Sequence, residues 1–213
     1  MRPEPEPALQ PPQRDLSDFP AYELTEGRQV ARSHSHDKGV WWFSSAPSDI
    51  DEKGGRFDLQ APRGTIYAAD SVDAAVRERL RSATINNAVV SPKLADNFQV
   101  TLLTMTQSSR CAHIDVSAAG RYGVTRELAT IPPSQYQLSR QWAEAFRKAG
   151  FEGIRYGVRF TPGRANAWAL FGNAGDAELP HPRVDQILTG REACQKCGLR
   201  VTPVPRIESL TLR

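Results

Sequence analysis

The chain has 213 residues, enough to bury a full hydrophobic core, and 39% of them are hydrophobic, as in a globular protein. No stretch reaches the roughly 20 consecutive apolar residues of a membrane-spanning helix, and no apolar signal segment opens the chain. The 27 basic and 24 acidic residues leave a net charge of only +3, too small to indicate direct contact with nucleic acid. We therefore expect a cytoplasmic protein, and its three cysteines, an odd number, fit a reducing compartment better than a disulfide framework.

Residues 1–20 are rich in proline, glutamate and glutamine and offer little to bury. This composition predicts a disordered tail, or a segment extended over the surface. Strand-like and helix-like patterns alternate over the following body, residues 21–172. From residue 173 the pattern becomes loop-like, and we expect residues 173–213 to form an extension packed on the body, ending in an added strand over Val201–Leu212.

The first part of the body has the residue pattern of four short strands. They cover Gln29–Ser35, Gly64–Ala69, Gln99–Met105 and Cys111–Val116. A helix over Ser71–Leu80 is predicted between the second and third of these strands. The body therefore mixes strands and helices from its start.

The clearest helix pattern covers Gln135–Ala149, where apolar residues recur on one face, with Ser134 as its predicted cap and Gly150 as its stop. Apolar residues then alternate from Ile154 to Phe160, and a turn leads into a return strand at Ala167–Phe171, which predicts a hairpin. Several neighbouring strands lack the helix-length connection that parallel pairing requires. We therefore expect an α+β fold with a mixed, largely antiparallel sheet and flanking helices.

The most informative motif is the sequence Gly-Gly-Arg-Phe-Asp at positions 54–58. Paired glycines let a backbone approach a ligand closely, and the Arg56 guanidinium can grip a phosphate in two places. A strand ending at Tyr67 and a helix carrying Glu78 follow, and these three side chains are the types needed to hold a nucleotide and break its glycosidic bond. Without further support, the same residues are more typical of an exposed turn and a solvated helix face.

The order of these elements resembles the RES-domain family. The matching pieces are Val30-Ala31-Arg32, the Gly-Gly-Arg-Phe-Asp loop, the strand Thr65–Ala69, the helix with its glutamate, and the stretch Gly150–Tyr156. That family consists of bacterial toxins that consume NAD, are usually paired with a helix-turn-helix antitoxin, and have a fold similar to the ADP-ribosylating toxins. The resemblance extends roughly from Gln29 to Phe171.

The resemblance implies a role for each matched residue. Arg32 and Arg56 would hold the NAD phosphates, with Gly55 beside them in the binding loop. Tyr67 would stack on a base while its hydroxyl orients a neighbour. Glu78 would be the key catalytic group, stabilising the positive charge that develops on the nicotinamide ribose.

One position departs from the family pattern. A serine is expected just after the late strand, but Gly157 and Val158 stand there. The resemblance then implies that the Gly157 N–H or the Arg159 side chain replaces the hydroxyl, or that nothing does. Asn166 falls where the family commonly has an asparagine, and it is expected to shape the site.

The implied activity is cleavage of the nicotinamide–ribose bond of NAD, as a glycohydrolase or a phosphorylase, with NAD as the substrate and no metal. Two alternatives remain open: transfer of ADP-ribose to a macromolecule, and a non-catalytic module that binds a nucleotide or a partner protein. The implied partner is an antitoxin of the helix-turn-helix (Xre) type covering the arginine-lined cleft. No contact with nucleic acid or membrane is expected, and self-association stays open.

Two cysteines, Cys194 and Cys197, have the spacing of half a zinc knuckle, without a second such pair. Cys111 and His113 would be needed to complete a Cys₃His site, and three free cysteines are the favoured interpretation.

Two histidines, His34 and His36, occupy alternate positions of a predicted strand, and we expect them at the rim of the nucleotide cleft. The aromatic run Trp41–Phe43 is a candidate lining for an adenine pocket, with a place in the core as the alternative.

Overall fold

A computed structural model describes residues 9–47, 54–81, 88–161, 163–177 and 181–202. The strands, in chain order, are β1 (Ala21–Leu24), β2 (Gln29–His34), β3 (Trp42–Phe43), β4 (Arg63–Ala69), β5 (Val89–Val90), β6 (Gln99–Thr104), β7 (Ser109–His113), β8 (Gly153–Gly157), β9 (Asn166–Asn173), β10 (Gly175–Asp176), β11 (Arg183–Thr189) and β12 (Arg200–Val201). The α-helices are α1 (Val72–Leu80), α2 (Pro92–Ala95), α3 (Glu127–Thr130), α4 (Tyr136–Lys148) and α5 (Gly190–Lys196). No helix of the described residues has the length and apolar character needed to cross a membrane.

Eight strands form one sheet in the order β1-β7-β8-β9-β4-β2-β6-β11. Neighbouring strands run antiparallel at every junction except that of β7 with β8, which are parallel. Beside this sheet, β3 pairs with β10 and β5 pairs with β12 in two small sheets. The arrangement confirms the predicted α+β fold with a mixed, largely antiparallel sheet and flanking helices.

The large sheet is weakly joined at its centre, at a seam between β2 and β4. These two strands share a single register pair, Ala31 with Ala69, whereas β2 pairs with β6 along its whole length. Arg32 bridges the seam, since its guanidinium donates to the backbone oxygens of Trp42 at 2.9 Å and of Tyr67 at 3.4 Å. A charged side chain therefore supplies hydrogen bonds where ladder bonds are missing.

The two faces of the sheet bury different sets of side chains. Helices α1, α4 and α5 cover one face, and the largest buried side chains there are Phe19, Phe57, Phe98, Trp142 and Phe146. The opposite face packs beneath the β3 segment and buries Leu24, Val30, Ile66, Leu103 and Trp168. The central strands β2, β4 and β9 thus alternate their side chains between two cores, as expected where a sheet is covered on both sides.

The two longest described helices, α1 and α4, begin differently. Ser71 caps α1, because its hydroxyl accepts a hydrogen bond from the Ala74 N–H at 3.2 Å. The predicted cap of α4, Ser134, instead lies inside a 3₁₀ turn that leads directly into the helix, so this prediction is wrong. Gly150 follows α4 at φ +83° and ends the helix as predicted.

Of the two expectations for the tail, disordered or extended over the surface, residues 9–20 follow the second, held to the body by three buried side chains. Leu9, Leu16 and Phe19 are buried in the core beneath the helices. The Phe19 ring centroid lies 4.7 Å from that of Phe146 on α4. A polar average composition had concealed three apolar side chains, each of which gains roughly 1.5–3 kcal/mol when fully buried.

The expected boundary at residue 172 does not separate an extension from the body. Strand β11 joins the large sheet beside β6, and Cys194 of α5 is buried in the same core as α1. The strand was missed because β11 is an edge strand with mostly exposed side chains, whose Arg, Asp and Gln residues resemble a loop. The predicted strand Val201–Leu212 begins in β12, and its part from residue 203 lies outside the described residues.

Candidate functional site

A cavity of about 800 Å³ opens between the centre of the sheet, α1 and the glycine loop, residues 54–58. Its volume lies within the roughly 300–1,000 Å³ typical of small-molecule and cofactor sites. The charged residues of its wall are Arg56, Glu78, Arg79, Arg81 and Arg159. The small residues of its wall are Ala31, Ser33, Gly55, Ala68, Ala69, Ala75 and Ala167. Of the residues predicted for the site, the structure brings Gly55, Arg56, Tyr67 and Glu78 together here.

Both glycines are required in the glycine loop, for different reasons. Gly54 adopts φ +86°, a left-handed conformation that residues with a side chain rarely adopt. A Cβ at Gly55 would overlap the Tyr67 hydroxyl and lie 2.6 Å from Asp58 Oδ1. The paired glycines therefore let the loop backbone pass directly against Tyr67 and Asp58.

Arg56 extends from this loop to the wall of the cavity. Its backbone oxygen accepts a hydrogen bond from Ser139 Oγ on α4 at 2.6 Å. Its guanidinium carbon lies 5.8 Å from the Phe57 ring centroid and 5.9 Å from that of Tyr156. No carboxylate of the described residues forms an ion pair with Arg56. The guanidinium is therefore available to an anionic ligand.

Glu78 is half-buried on the flank of α1 and faces the same cavity. Its Oε1 accepts a hydrogen bond from the Phe160 backbone N–H at 2.8 Å. Within the described chain, Oε2 accepts no hydrogen bond. The carboxylate is thus held in one orientation with one oxygen left for a ligand, although the apolar stripe of α1 alone had favoured a solvent-facing glutamate.

Three further arginines, Arg79, Arg81 and Arg159, add positive charge to the cavity. Partial burial and the charge of Arg81 lower the pKa of Arg79. Among the described residues of the wall, four arginines against one glutamate give a net charge of +3. This excess favours an anionic ligand such as a pyrophosphate. The sequence prediction had assigned Arg56 to the site and had given Arg159 only a conditional role.

Aromatic side chains from Tyr136, Tyr156 and Phe160 form another part of the wall. The Tyr156 ring packs at 5.2 Å on that of Phe57, and burial raises the pKa of Tyr156. The sequence prediction missed all three as ligand contacts, since aromatic residues on an amphipathic helix and an alternating strand usually indicate core. Tyr156 does end one of the stretches that match the RES family, which was a usable signal.

Arg32 does not line the cavity, so its role in holding a phosphate stays a prediction that this wall does not include. Ala31 and Ser33 on either side of it do line the cavity, and side chains alternate along a strand, so Arg32 leaves the sheet from the opposite face. Burial and the charge of Arg79 lower the pKa of Arg32 to about 9. Its hydrogen bonds hold the seam instead.

Gly157 and Asn166 lie outside the cavity wall as well, and so does Val158. Gly157 and Asn166 are partners at the end of the β8–β9 hairpin. Gly157 faces Asp115, whose Oδ2 would lie 3.4 Å from a Cβ at this position. The Asn166 backbone N–H donates to Asp70 Oδ2 at 2.8 Å. Both residues shape the hairpin, and their contacts with NAD stay a prediction that this cavity wall does not include.

The histidines and tryptophans of residues 34–43 are also absent from the wall of this cavity. His34 is buried, with Nε2 at 3.0 Å from Thr101 Oγ1, and burial lowers its pKa. His36 lies at the surface beside α2. Trp41 and Phe43 pack in the core of the opposite face. The prediction of a cleft rim and an adenine pocket is wrong for these residues, and the core alternative holds for the aromatic pair.

The four residues considered for a zinc site do not meet. Cys111 is buried in the core of one face of the sheet and Cys194 in that of the other. His113 contacts Arg155, on the strand beside its own. In the part of the chain that the structure describes, no group of three potential metal ligands occurs. A Cys₃His site that includes Cys197 is therefore wrong, because the sheet separates its ligands.

Comparison with known proteins agrees with the resemblance found in the motifs. The model of the RES domain family matches residues 27–189, most of the chain. Among solved structures, a chain of the M. tuberculosis MbcT–MbcA toxin–antitoxin complex matches with a TM-score of 0.59 and 14% sequence identity, over 84% of this chain and 92% of that chain. No curated protein matches. At this identity the structural likeness is one of fold.

Proposed function

The chain belongs to the RES domain family, and we propose that it cleaves the bond between nicotinamide and ribose in NAD, with water or phosphate as the acceptor. The observation that carries the proposal is the placement of Arg56 and Glu78 in the wall of one positively charged cavity. NAD combines an anionic pyrophosphate with a ribose that becomes cationic as its bond to nicotinamide breaks. One arginine and one glutamate in a shared cavity match these two charges.

The reaction follows from those charges. The C1′–N bond breaks with its electron pair moving to the nicotinamide nitrogen, which neutralises the positive ring. The ribose left behind resembles an oxocarbenium ion, as in glycoside hydrolysis. Water or phosphate then adds at C1′, and water loses a proton in doing so. Glu78, oriented by the Phe160 N–H, stabilises the cationic ribose, while Arg56 holds the pyrophosphate.

The ring of Tyr67 and the aromatic wall suit the two bases of NAD. The half-buried Tyr67 side chain lines the cavity, and the rings of Tyr136 and Phe160 lie in the same wall. Aromatic faces bind planar bases by stacking, with little loss of side-chain entropy. We assign these rings to positioning the nicotinamide and the adenine, and we assign no chemical step to them.

We further propose that the protein is the toxin of a toxin–antitoxin pair. The fold likeness to a chain of a toxin–antitoxin complex supports this biological role. An enzyme that depletes NAD in the cytoplasm has to be restrained, and a helix-turn-helix antitoxin covering the cavity would do so. Because the wall carries four arginines, such a partner should present carboxylates to it.

The test is nicotinamide release from NAD labelled in its adenosine half, with and without phosphate. We expect Glu78→Gln, which keeps the shape but removes the charge, to lower kcat by about 10²–10⁴-fold. Arg56→Ala should raise KM and lower kcat/KM by about 10²-fold, because the phosphate clamp acts on bound substrate and transition state. Glu26→Gln and Arg28→Ala change the same residue types in an exposed turn outside the cavity and should leave the rate unchanged.

The fate of the label separates the alternatives. Free ADP-ribose indicates hydrolysis. ADP-ribose with a phosphate on the carbon that held nicotinamide indicates phosphorolysis, and label attached to protein or nucleic acid indicates ADP-ribosyl transfer. NAD bound by the folded wild type without nicotinamide release would overturn the enzyme and favour a binding module. Full activity in Glu78→Gln would overturn the assigned role of that carboxylate.

A further inference from the structure

The glycine loop is fastened by two side chains that lie behind it. Asp58 Oδ2 accepts a hydrogen bond from the Gly55 N–H at 2.6 Å. Asp58 Oδ1 accepts one from the Tyr67 hydroxyl at 2.8 Å, and that hydroxyl oxygen accepts one from the Phe57 N–H at 2.8 Å. The two amides thus flank Arg56, so both of its peptide neighbours are tied to the same pair of side chains.

We propose that Asp58 and Tyr67 are positioning residues, forming a hydrogen-bonded clasp that fixes the backbone on both sides of Arg56 and so aims its guanidinium at the ligand pyrophosphate. The role of the clasp in turnover rests on the proposed NAD cleavage. The clasp itself does not, since its hydrogen bonds are properties of the protein without a ligand.

The Tyr67 hydroxyl is fully engaged by the clasp. The hydroxyl donates its one hydrogen bond to Asp58, and its oxygen accepts a hydrogen bond from the Phe57 N–H. Burial, followed by the negative charge of Asp58, raises the pKa of Tyr67 well above its ordinary value. The hydroxyl is therefore committed to neighbours on the protein, and only the ring of Tyr67 is left to face a ligand.

The carboxylate of Asp58 is suited to this place because it only accepts hydrogen bonds. Both of its oxygens face donors, the Gly55 N–H and the Tyr67 O–H. An asparagine side chain would present one acceptor and one donor. With its amide nitrogen facing the Gly55 N–H that bond would be lost, and with its amide nitrogen facing Tyr67 the Tyr67 O–H would lose its acceptor. Asp58 is 2% exposed, and burial raises its pKa, so the cost of removing the carboxylate from water opposes the hydrogen bonds from Gly55 and Tyr67, which favour its charged form.

Helix α4 fastens the same loop from its other side. Ser139 Oγ donates to the backbone oxygen of Arg56 at 2.6 Å, and Arg140 Nε donates to that of Gly55 at 3.3 Å. The backbone oxygens of the loop therefore bond to α4, while its amides bond to the clasp. With the clasp removed, the loop keeps its attachment to α4 but loses the hydrogen bonds that fix the orientation of its amides.

Two isosteric variants test the clasp, Tyr67→Phe and Asp58→Asn. Tyr122→Phe is the matched control, because the Tyr122 hydroxyl makes one hydrogen bond, to the Asp18 backbone oxygen at 2.8 Å, away from the cavity. We expect faster hydrogen exchange at the Gly55 and Phe57 amides in Tyr67→Phe, measured without any ligand. Unchanged exchange at both amides in a folded Tyr67→Phe would overturn the clasp, whether or not NAD is a substrate.

A double-mutant comparison tests whether the clasp acts through Arg56. Affinity for ADP-ribose is measured by calorimetry in wild type, Arg56→Ala, Tyr67→Phe and the double variant. We expect Tyr67→Phe to weaken binding and to lower kcat/KM by about 10-fold or more, since a misplacement near 1 Å costs about 10²-fold. In the Arg56→Ala background the same change should have no further effect. Equal losses in both backgrounds, or equal losses in Tyr122→Phe, would overturn the positioning role.

Discussion

Replacing Phe19 by alanine should strongly destabilise the protein, although Phe19 lies in a segment with a polar, proline-rich composition. The ring is 2% exposed and packs on three aromatic neighbours, with centroid distances of 4.7 Å to Phe146, 5.0 Å to Tyr122 and 6.2 Å to Phe151. Removing a buried phenylalanine ring costs about 3–5 kcal/mol. For a chain of this size that corresponds to a decrease of about 6–20 °C in Tm.

The assay is thermal unfolding followed by circular dichroism, with urea unfolding as an independent measure. Gln13→Ala, an exposed position in the same segment, is the control and should leave Tm unchanged. Phe146 and Ser139 both belong to α4, and Ser139 bonds to the glycine loop through the Arg56 backbone oxygen. Below its Tm the Phe19→Ala variant is folded, and we expect the glycine loop to be folded with it. A decrease in Tm of less than about 3 °C, close to 1 kcal/mol, would refute the argument that residues 9–20 are part of the core.

Two further predictions concern titratable side chains. Asp185 on β11 accepts hydrogen bonds from Thr104, Gln29 and Arg183, which lower its pKa to about 2, so the stability it contributes is present above the ordinary value of 3.8 and is lost as pH falls towards 2. Urea midpoints should therefore fall less between pH 5 and pH 2 in Asp185→Asn than in wild type, and an equal fall would contradict this. Burial and Asp73 raise the pKa of the half-exposed Cys197 thiol to about 12. We expect its alkylation by iodoacetamide at pH 8 to be at least about 10²-fold slower than that of an unfolded-chain thiol, and faster in Asp73→Asn; a rate equal to that of the unfolded chain would show that the thiol is not shielded.

Strong local patterns predicted the central elements well. The strands around Gln29, Gly64 and Gln99, the helix carrying Glu78 and the hairpin after Gly150 all occur, with ends shifted by a few residues at most. Each has an alternating or helical repeat of apolar residues, which is a property of the segment itself. The three side chains Arg56, Tyr67 and Glu78 also line one cavity, because loop, strand and helix follow one another directly in the chain.

Predictions that depended on how distant parts of the chain come together failed. The alternation along β2 indicates that Arg32 and Ser33 point to opposite faces, but it does not indicate which face has the cavity. The edge strand β11 has few buried residues, so its pattern resembled a loop, and its place beside β6 depends on a pairing roughly 80 residues apart along the chain. Residues 9–20 are likewise held by contacts with distant residues, such as Phe19 with Phe146 and Gln10 with Trp142, both on α4.

The seam between β2 and β4 divides the large sheet into a five-strand half and a three-strand half that meet at one residue pair. Both halves contribute to the cavity wall, Ser33 from one and Tyr67 and Tyr156 from the other. A ligand spanning the cavity therefore cross-links two halves that the backbone itself joins poorly. Its binding free energy stabilises both halves together, so the protein with ligand should unfold as one unit. Without a ligand, we expect the two halves to separate first at the seam.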